Sequence, residues 1–90
     1  MPIDVHSKPR LAAGCRLGES NKQQILLMPE RALRLNGPSL EIVQLCDGHH
    51  TVQQIAEKLH ALYSKAEPQR ITDDLLGYLA LLHDQRAIDF

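Results

Sequence analysis

Tryptophan is missing from this chain of 90 residues, and aromatic side chains make up only 3% of it. Its core must therefore be assembled from Leu, Ile, Val and Ala. Cysteine is scarce too: Cys15 and Cys46 are too few for a disulfide framework. No apolar run approaches the length of a membrane span, so no membrane partner is expected. The stretch Met1 to Arg10 lacks the apolar segment of a signal peptide, which predicts a cytoplasmic protein. Basic excess is also absent. Ten basic and eleven acidic residues leave a formal net charge of −1, which argues against a general binder of nucleic acid or anionic lipid. There is no phosphate loop, no dinucleotide fingerprint and no serine elbow. Catalysis by this chain alone is not expected, nor is a cofactor.

What is present is an ordinary globular composition, 43% apolar and 23% charged, in a length that suits one small domain. The even net charge conceals an asymmetry. Residues 1–35 hold six basic and three acidic residues, whereas 36–90 hold four basic and eight acidic. Such a split suits a partner with its own charge pattern, although a solvated surface can look the same. Residues 1–10, with two prolines and little apolar content, read as a flexible arm, and 11–90 as the single domain.

Leu11, Ala13, Cys15 and Leu17 alternate with Ala12, Gly14 and Arg16, the period of a half-buried strand. Gly18-Glu19-Ser20-Asn21-Lys22 is a turn cluster. Gln23 to Met28 forms a second strand, Pro29-Glu30 a tight turn, and Arg31 to Leu35 a third strand. Short connections between them imply an antiparallel meander. Pro38 suits the first turn of a helix carrying Leu40, Val43 and Cys46, which Gly48 would close in a left-handed conformation. Thr51-Val52-Gln53-Gln54 matches a capping box, and Val52, Ile55, Ala56, Leu59 and Leu62 keep helical spacing behind it. A third helix starts between Pro68 and Thr72, carries Ile71, Leu75, Tyr78, Leu79 and Leu82, and ends near Gln85 or Arg86. Ala87 to Phe90 can add a short terminal strand. The expected fold is α+β: a three-stranded antiparallel sheet followed by a three-helix bundle, resembling a winged helix-turn-helix.

Several constellations invite a chemical reading. Cys46-Asp47-Gly48-His49-His50 collects metal-ligand types, but zinc sites usually draw on two separated clusters, and Cys46 lies on an apolar helical stripe. No metal is expected there. Asp73-Asp74 are neighbours on a helix and diverge by about 100°, so they complement the helix dipole instead of converging on a substrate. DNA binding is the rival suggested by the helix-turn-helix outline. The third helix opposes it, because Glu67 to Asp84 contains four acids and one base, Arg70.

The third strand is more informative. If chain order is spatial order, Arg31 to Leu35 is an edge with unpaired backbone groups, able to accept another chain as an added strand, with Arg31 and Arg34 beside it. The same edge could pair with itself and give a homodimer. The third helix is apolar around more of its circumference than one core face needs. Leu76 is the better candidate for a groove beside the edge, with Tyr78 and His83 at its boundary, and Leu75 and Leu79 suit the core.

Leu27-Met28-Pro29-Glu30, Leu35-Asn36, Ile42, Cys46-Asp47-Gly48, Thr51, Ile55 and Leu59 together resemble the PqqD family of pyrroloquinoline quinone (PQQ) biosynthesis. The likeness runs from about Leu11 to Ile88, although the family often has an aromatic where Met28 stands. It implies a peptide chaperone that binds the precursor peptide PqqA and presents it to the radical SAM enzyme PqqE, which crosslinks a glutamate and a tyrosine of the peptide. Related RiPP recognition elements bind leader peptides as an extra strand beside the third strand, with the third helix as the opposite wall. By that resemblance Arg31, Ala32, Leu33, Arg34 and Leu35 supply the docking strand, and Leu75, Leu76, Leu79 and His83 the wall.

Overall fold

The computed structural model describes residues 3–90. Eight elements follow one another: β1 (Arg10–Leu11), β2 (Arg16–Ser20), β3 (Gln23–Met28), β4 (Arg31–Arg34), α1 (Pro38–Leu45), α2 (Val52–Leu62), α3 (Pro68–Asp84) and β5 (Ile88–Asp89). Strands β2, β3 and β4 form an antiparallel sheet in chain order, and β1 pairs with β5 in a separate two-stranded sheet. This is the α+β, winged helix-turn-helix-like arrangement expected, with the terminal strand in place. No helix among the described residues is long and apolar enough to cross a membrane.

The β2–β3 hairpin closes through Asn21 and Lys22, both left-handed (φ 52° and 66°), the twist that a two-residue hairpin turn needs. The turn is therefore shorter than the cluster Gly18–Lys22, and Gly18 to Ser20 continue the strand. At the other end, the strand expected from Leu11 to Leu17 is split. Leu11 pairs with Ile88, the chain turns as the Cys15 N–H donates to the Ala12 carbonyl (3.0 Å), and Gly14 takes φ 84°. That left-handed glycine interrupts the extended backbone, so the apparent alternation across it had no structural basis.

Residues 3–10, expected to be a flexible arm, run beside the start of α2. Val5, Ser7 and Pro9 offer carbonyls to the Gln53, Val52 and Gly48 N–H groups at 3.0, 2.9 and 2.9 Å. A helix leaves its first N–H groups without intrahelical partners, and here the arm takes two of those at the start of α2. The capping box provides for others: the Gln54 N–H donates to Thr51 Oγ1 (3.1 Å) and the Thr51 N–H to Gln54 Oε1 (2.8 Å). Helix donors left without intrahelical partners thus give this proline-containing segment backbone partners.

Leu26, Leu35, Ile42, Val43, Cys46, Val52, Ile55, Leu59, Leu75, Leu79, Leu82 and Ile88 are among the residues that make the core, and among the described residues no polar or charged one is buried with them. Sealing each large aliphatic contributes about 1.5–3 kcal/mol.

Candidate functional site

Among the described residues, strand β4 has β3 on one side and no strand on the other. The Leu35 N–H donates to the Gln24 carbonyl at 3.0 Å, and β4 is registered with Leu33 opposite Leu26 and Arg34 opposite Ile25. Antiparallel pairs alternate between bonded and non-bonded, so Arg31, Leu33 and Leu35 direct their backbone groups to β3. Ala32 and Arg34 direct theirs outward. Among the described residues none of those outward groups is taken up by another backbone group. The side chains of Arg31, Ala32 and Arg34 are exposed, Leu33 is half-buried against the core, and neither arginine is in an ion pair among the described residues. Leu35 differs: at 1% exposure it is a core residue that anchors the strand's end.

The opposite wall is decided by how α3 is rotated. Its sealed line is Leu75, Leu79 and Leu82, all without exposed surface, so Leu75 and Leu79 can support a groove but cannot touch anything lying in it. At about 100° per residue, Thr72, Leu76 and His83 fall on one side of this line, and Ile71, Asp74, Tyr78 and Leu81 on the other. The first flank turns to α2 and the C-terminus. His60 Nε2 stands 3.1 Å from both Thr72 Oγ1 and the Pro68 carbonyl, and the His83 ring lies 5.1 Å from that of Phe90. The second flank turns to α1. Tyr78 lies beside Ser39 in the first turn of α1. Ile71 and Asp74 share with Pro38, Ile42 and Tyr63 a mainly apolar cavity of about 450 Å³. Pro38 follows closely on β4 in the chain, so the Tyr78 flank faces the helix that leaves the open edge. Leu76 and His83 lie on the flank of α3 that turns to α2 and the C-terminus. Tyr78 was expected only at the groove's boundary, and Leu81, 44% exposed, was not assigned to the wall. Their spacing with Ile71 and Asp74 is a second helical stripe, legible in retrospect once the core stripe is subtracted.

The Tyr78 phenol has no free partner. Its oxygen is covered, and the Ser39 hydroxyl beside it is committed to the Asn36 carbonyl at 2.7 Å. Burial pushes its pKa up, against a smaller lowering by Ser39. Burial, with the Asp47 carboxylate as the lesser cause, likewise pushes the Cys46 thiol up to about 12. A thiol held protonated in the core is not a nucleophile. Asp47 is held below its usual range by the His50 ring nitrogen (3.0 Å) and the His49 N–H (2.8 Å). With Gly48 at φ 80°, these bonds shape the α1–α2 turn, the structural role expected of the motif. Among the described residues no three His, Cys, Asp or Glu side chains gather as a metal site. The surface of α3 exposes Glu67, Asp73, Asp74 and Asp84 against Arg70, a poor match for a phosphate backbone.

The family model for coenzyme PQQ synthesis protein D (PqqD) matches residues 23–88. The chain belongs to the PqqD family. That span runs from the start of β3 to β5 and holds the open edge, the cavity and both flanks of α3. The chain is 35% identical over 88 residues to a PqqA binding protein of Xanthomonas euvesicatoria pv. vesicatoria, covering 96% of this chain and 95% of that one. It is 39% identical over 83 residues to a bifunctional coenzyme PQQ synthesis protein C/D of Methylorubrum extorquens. That match covers 90% of this chain but only 22% of the longer protein. The solution NMR structure of the PqqD truncation of Methylobacterium extorquens PqqCD, described as a functional, stand-alone RiPP recognition element, superposes with a TM-score of 0.79 at 34% identity. This superposition covers 99% of this PqqD-family chain and 96% of that one.

Proposed function

We propose that this PqqD-family protein is a non-catalytic chaperone that binds the precursor peptide PqqA as an added strand on β4 and presents it to the radical SAM enzyme PqqE. The observation that carries this reading is the row of outward backbone groups at Ala32 and Arg34. Two N–H and two C=O groups give four new bonds, about 2–6 kcal/mol in all. Ordering a disordered peptide costs about 2–5 kcal/mol. Side chains must therefore supply much of the affinity, since a micromolar complex needs about 8 kcal/mol. Leu33 and the Tyr78–Leu81 flank offer apolar contact, and the cavity by Pro38 can accept one aliphatic or aromatic side chain beyond the strand. Arg31 and Arg34 favour carboxylates in the guest. In two β4 edges joined antiparallel about Leu33, Arg34 of each copy would face Ala32 of the other, with the two Arg34 as diagonal neighbours, so the pairing gains no charge complementarity.

Titration of labelled protein with PqqA peptide tests the reading. Saturable shifts at 31–35 and on the Tyr78 flank are expected, and absence of saturable binding overturns it. Arg34→Glu should weaken an acidic peptide more than a neutral one; equal loss removes the charge argument.

A further inference from the structure

The chain stays in register with β3 beyond the last residue of β4. The Leu35 N–H pairs with the Gln24 carbonyl, and the Leu35 carbonyl accepts from Gln23 Nε2 at 3.0 Å. The same Gln23 nitrogen lies 3.0 Å from Asn36 Oδ1, so Asn36 stands opposite Gln23 at the next register position. By the alternation of an antiparallel pair, its backbone groups turn away from β3, as those of Ala32 and Arg34 do. Asn36 is exposed, yet its outward groups are occupied. Its N–H donates to Ser39 Oγ at 2.9 Å. Its carbonyl accepts from the Ser39 hydroxyl at 2.7 Å and from the Ser39 N–H at 3.2 Å. Ser39 thus closes the outward row after two residues. One group is left over. Tyr78 Oη is buried without a partner among the described residues, and the side chain beside it is Ser39. A buried polar atom without a partner is rare and calls for a physical account.

We infer that Asn36 is a third docking residue for the guest strand, released by an exchange of hydrogen bonds at Ser39 in which the Tyr78 phenol replaces the Asn36 N–H. The inference rests on the chaperone reading above and extends its edge by one outward position. In the free protein Ser39 Oγ accepts from Asn36, and the phenol is idle. In the complex a guest carbonyl accepts the Asn36 N–H. The phenol then donates to the Ser39 oxygen, which can accept while its own proton stays on the Asn36 carbonyl. One bond at Ser39 is broken and one is made, the guest gains a bond, and the phenol gains the partner it lacked. A covered polar group left unmatched destabilises the free state relative to one in which it is bonded, so the exchange favours the complex. It also ties the end of the edge to α3, because the phenol is bonded only when the guest reaches Asn36.

The test uses the full chain and PqqA peptide. Tyr78→Phe removes only the phenolic oxygen. It should unfold at the temperature of the parent or above it, since the free protein loses no bond, yet bind PqqA about three- to tenfold more weakly, the range for one hydrogen bond. In a Ser39→Ala background the acceptor is gone, and adding Tyr78→Phe should change the affinity less than about twofold. The parent supplies a readout that needs no variant: on saturation with PqqA the Asn36 amide signal should shift and its exchange with solvent should slow. If PqqA binds saturably but Tyr78→Phe binds it as tightly as the parent, or the Asn36 amide is unchanged, the exchange is overturned and the chaperone reading stands. An equal loss in both backgrounds assigns Tyr78 a packing role and likewise overturns the exchange. If the parent does not bind PqqA, the chaperone reading falls and takes the inference with it.

Discussion

Leu26 and Leu27 are the same residue one position apart on the same strand, and they face different environments. Leu26 is sealed in the core, whereas Leu27, on the opposite face of the strand, lies half-buried across β2. Side-chain chemistry does not separate them; the parity of the strand does. An apolar run tells how many sides of a strand are to be covered and leaves open what covers them.

The sharpest way to break this comparison is truncation on each face. Leu26→Ala leaves a cavity in a packed core and should cost about 2–5 kcal/mol in urea unfolding. Leu27→Ala removes less buried surface and should cost less than about 1.5 kcal/mol. Equal losses would mean that the outer face is as well packed as the core. A smaller effect is expected at the start of α2. Thr51→Ala breaks the capping box and should cost about 1 kcal/mol, leaving the docked arm as the remaining acceptor for that turn. The two cysteines repeat the contrast of the two leucines without changing stability. Cys46, its pKa raised to about 12 by burial and the nearby Asp47, should react with a thiol reagent at pH 8 only as the protein unfolds, while the half-buried Cys15 reacts first.

The smallest effect concerns Asp47. Its folded pKa lies below its unfolded value, through the His50 and His49 bonds. The stabilisation is therefore present above the unfolded pKa and is lost as pH falls through the folded one. Asp47→Asn should be less stable than the parent at neutral pH, and the gap should close under acid titration. Because Asp47 is exposed, the gap is small and shrinks with added salt.

Elements written in local chemistry were legible without a structure. The Thr51–Gln54 box, the left-handed Gly48, the turn at Pro29-Glu30 and the helix opening at Pro38 each follow from a few neighbouring residues. The β2 boundary was not legible, because Leu11 to Leu17 alternates in composition while Gly14 bends the backbone between two different sheets. For the candidate site, the edge at Arg31–Arg34 followed from strand order, whereas the wall did not. Leu75, Leu76, Leu79 and His83 share the apolar or amphipathic character of a wall. Only contacts with Ser39 and Pro38 show that Tyr78 and Ile71 stand on the flank beside α1, and only His60 shows that Thr72 stands on the flank beside α2.

The amino-acid order alone determined the run of strands and helices, the basic bias of the sheet half and the acidic bias of the helical half. These depend on periodicity, capping and composition within a few residues. Tertiary structure decided that β4 stays open among the described residues, that the N-terminal segment meets the start of α2, and which side of α3 faces α1. Those outcomes depend on how elements distant in sequence are rotated against one another when the core is packed. Periodicity fixes the residues that share a face, but only packing fixes the neighbour that the face meets.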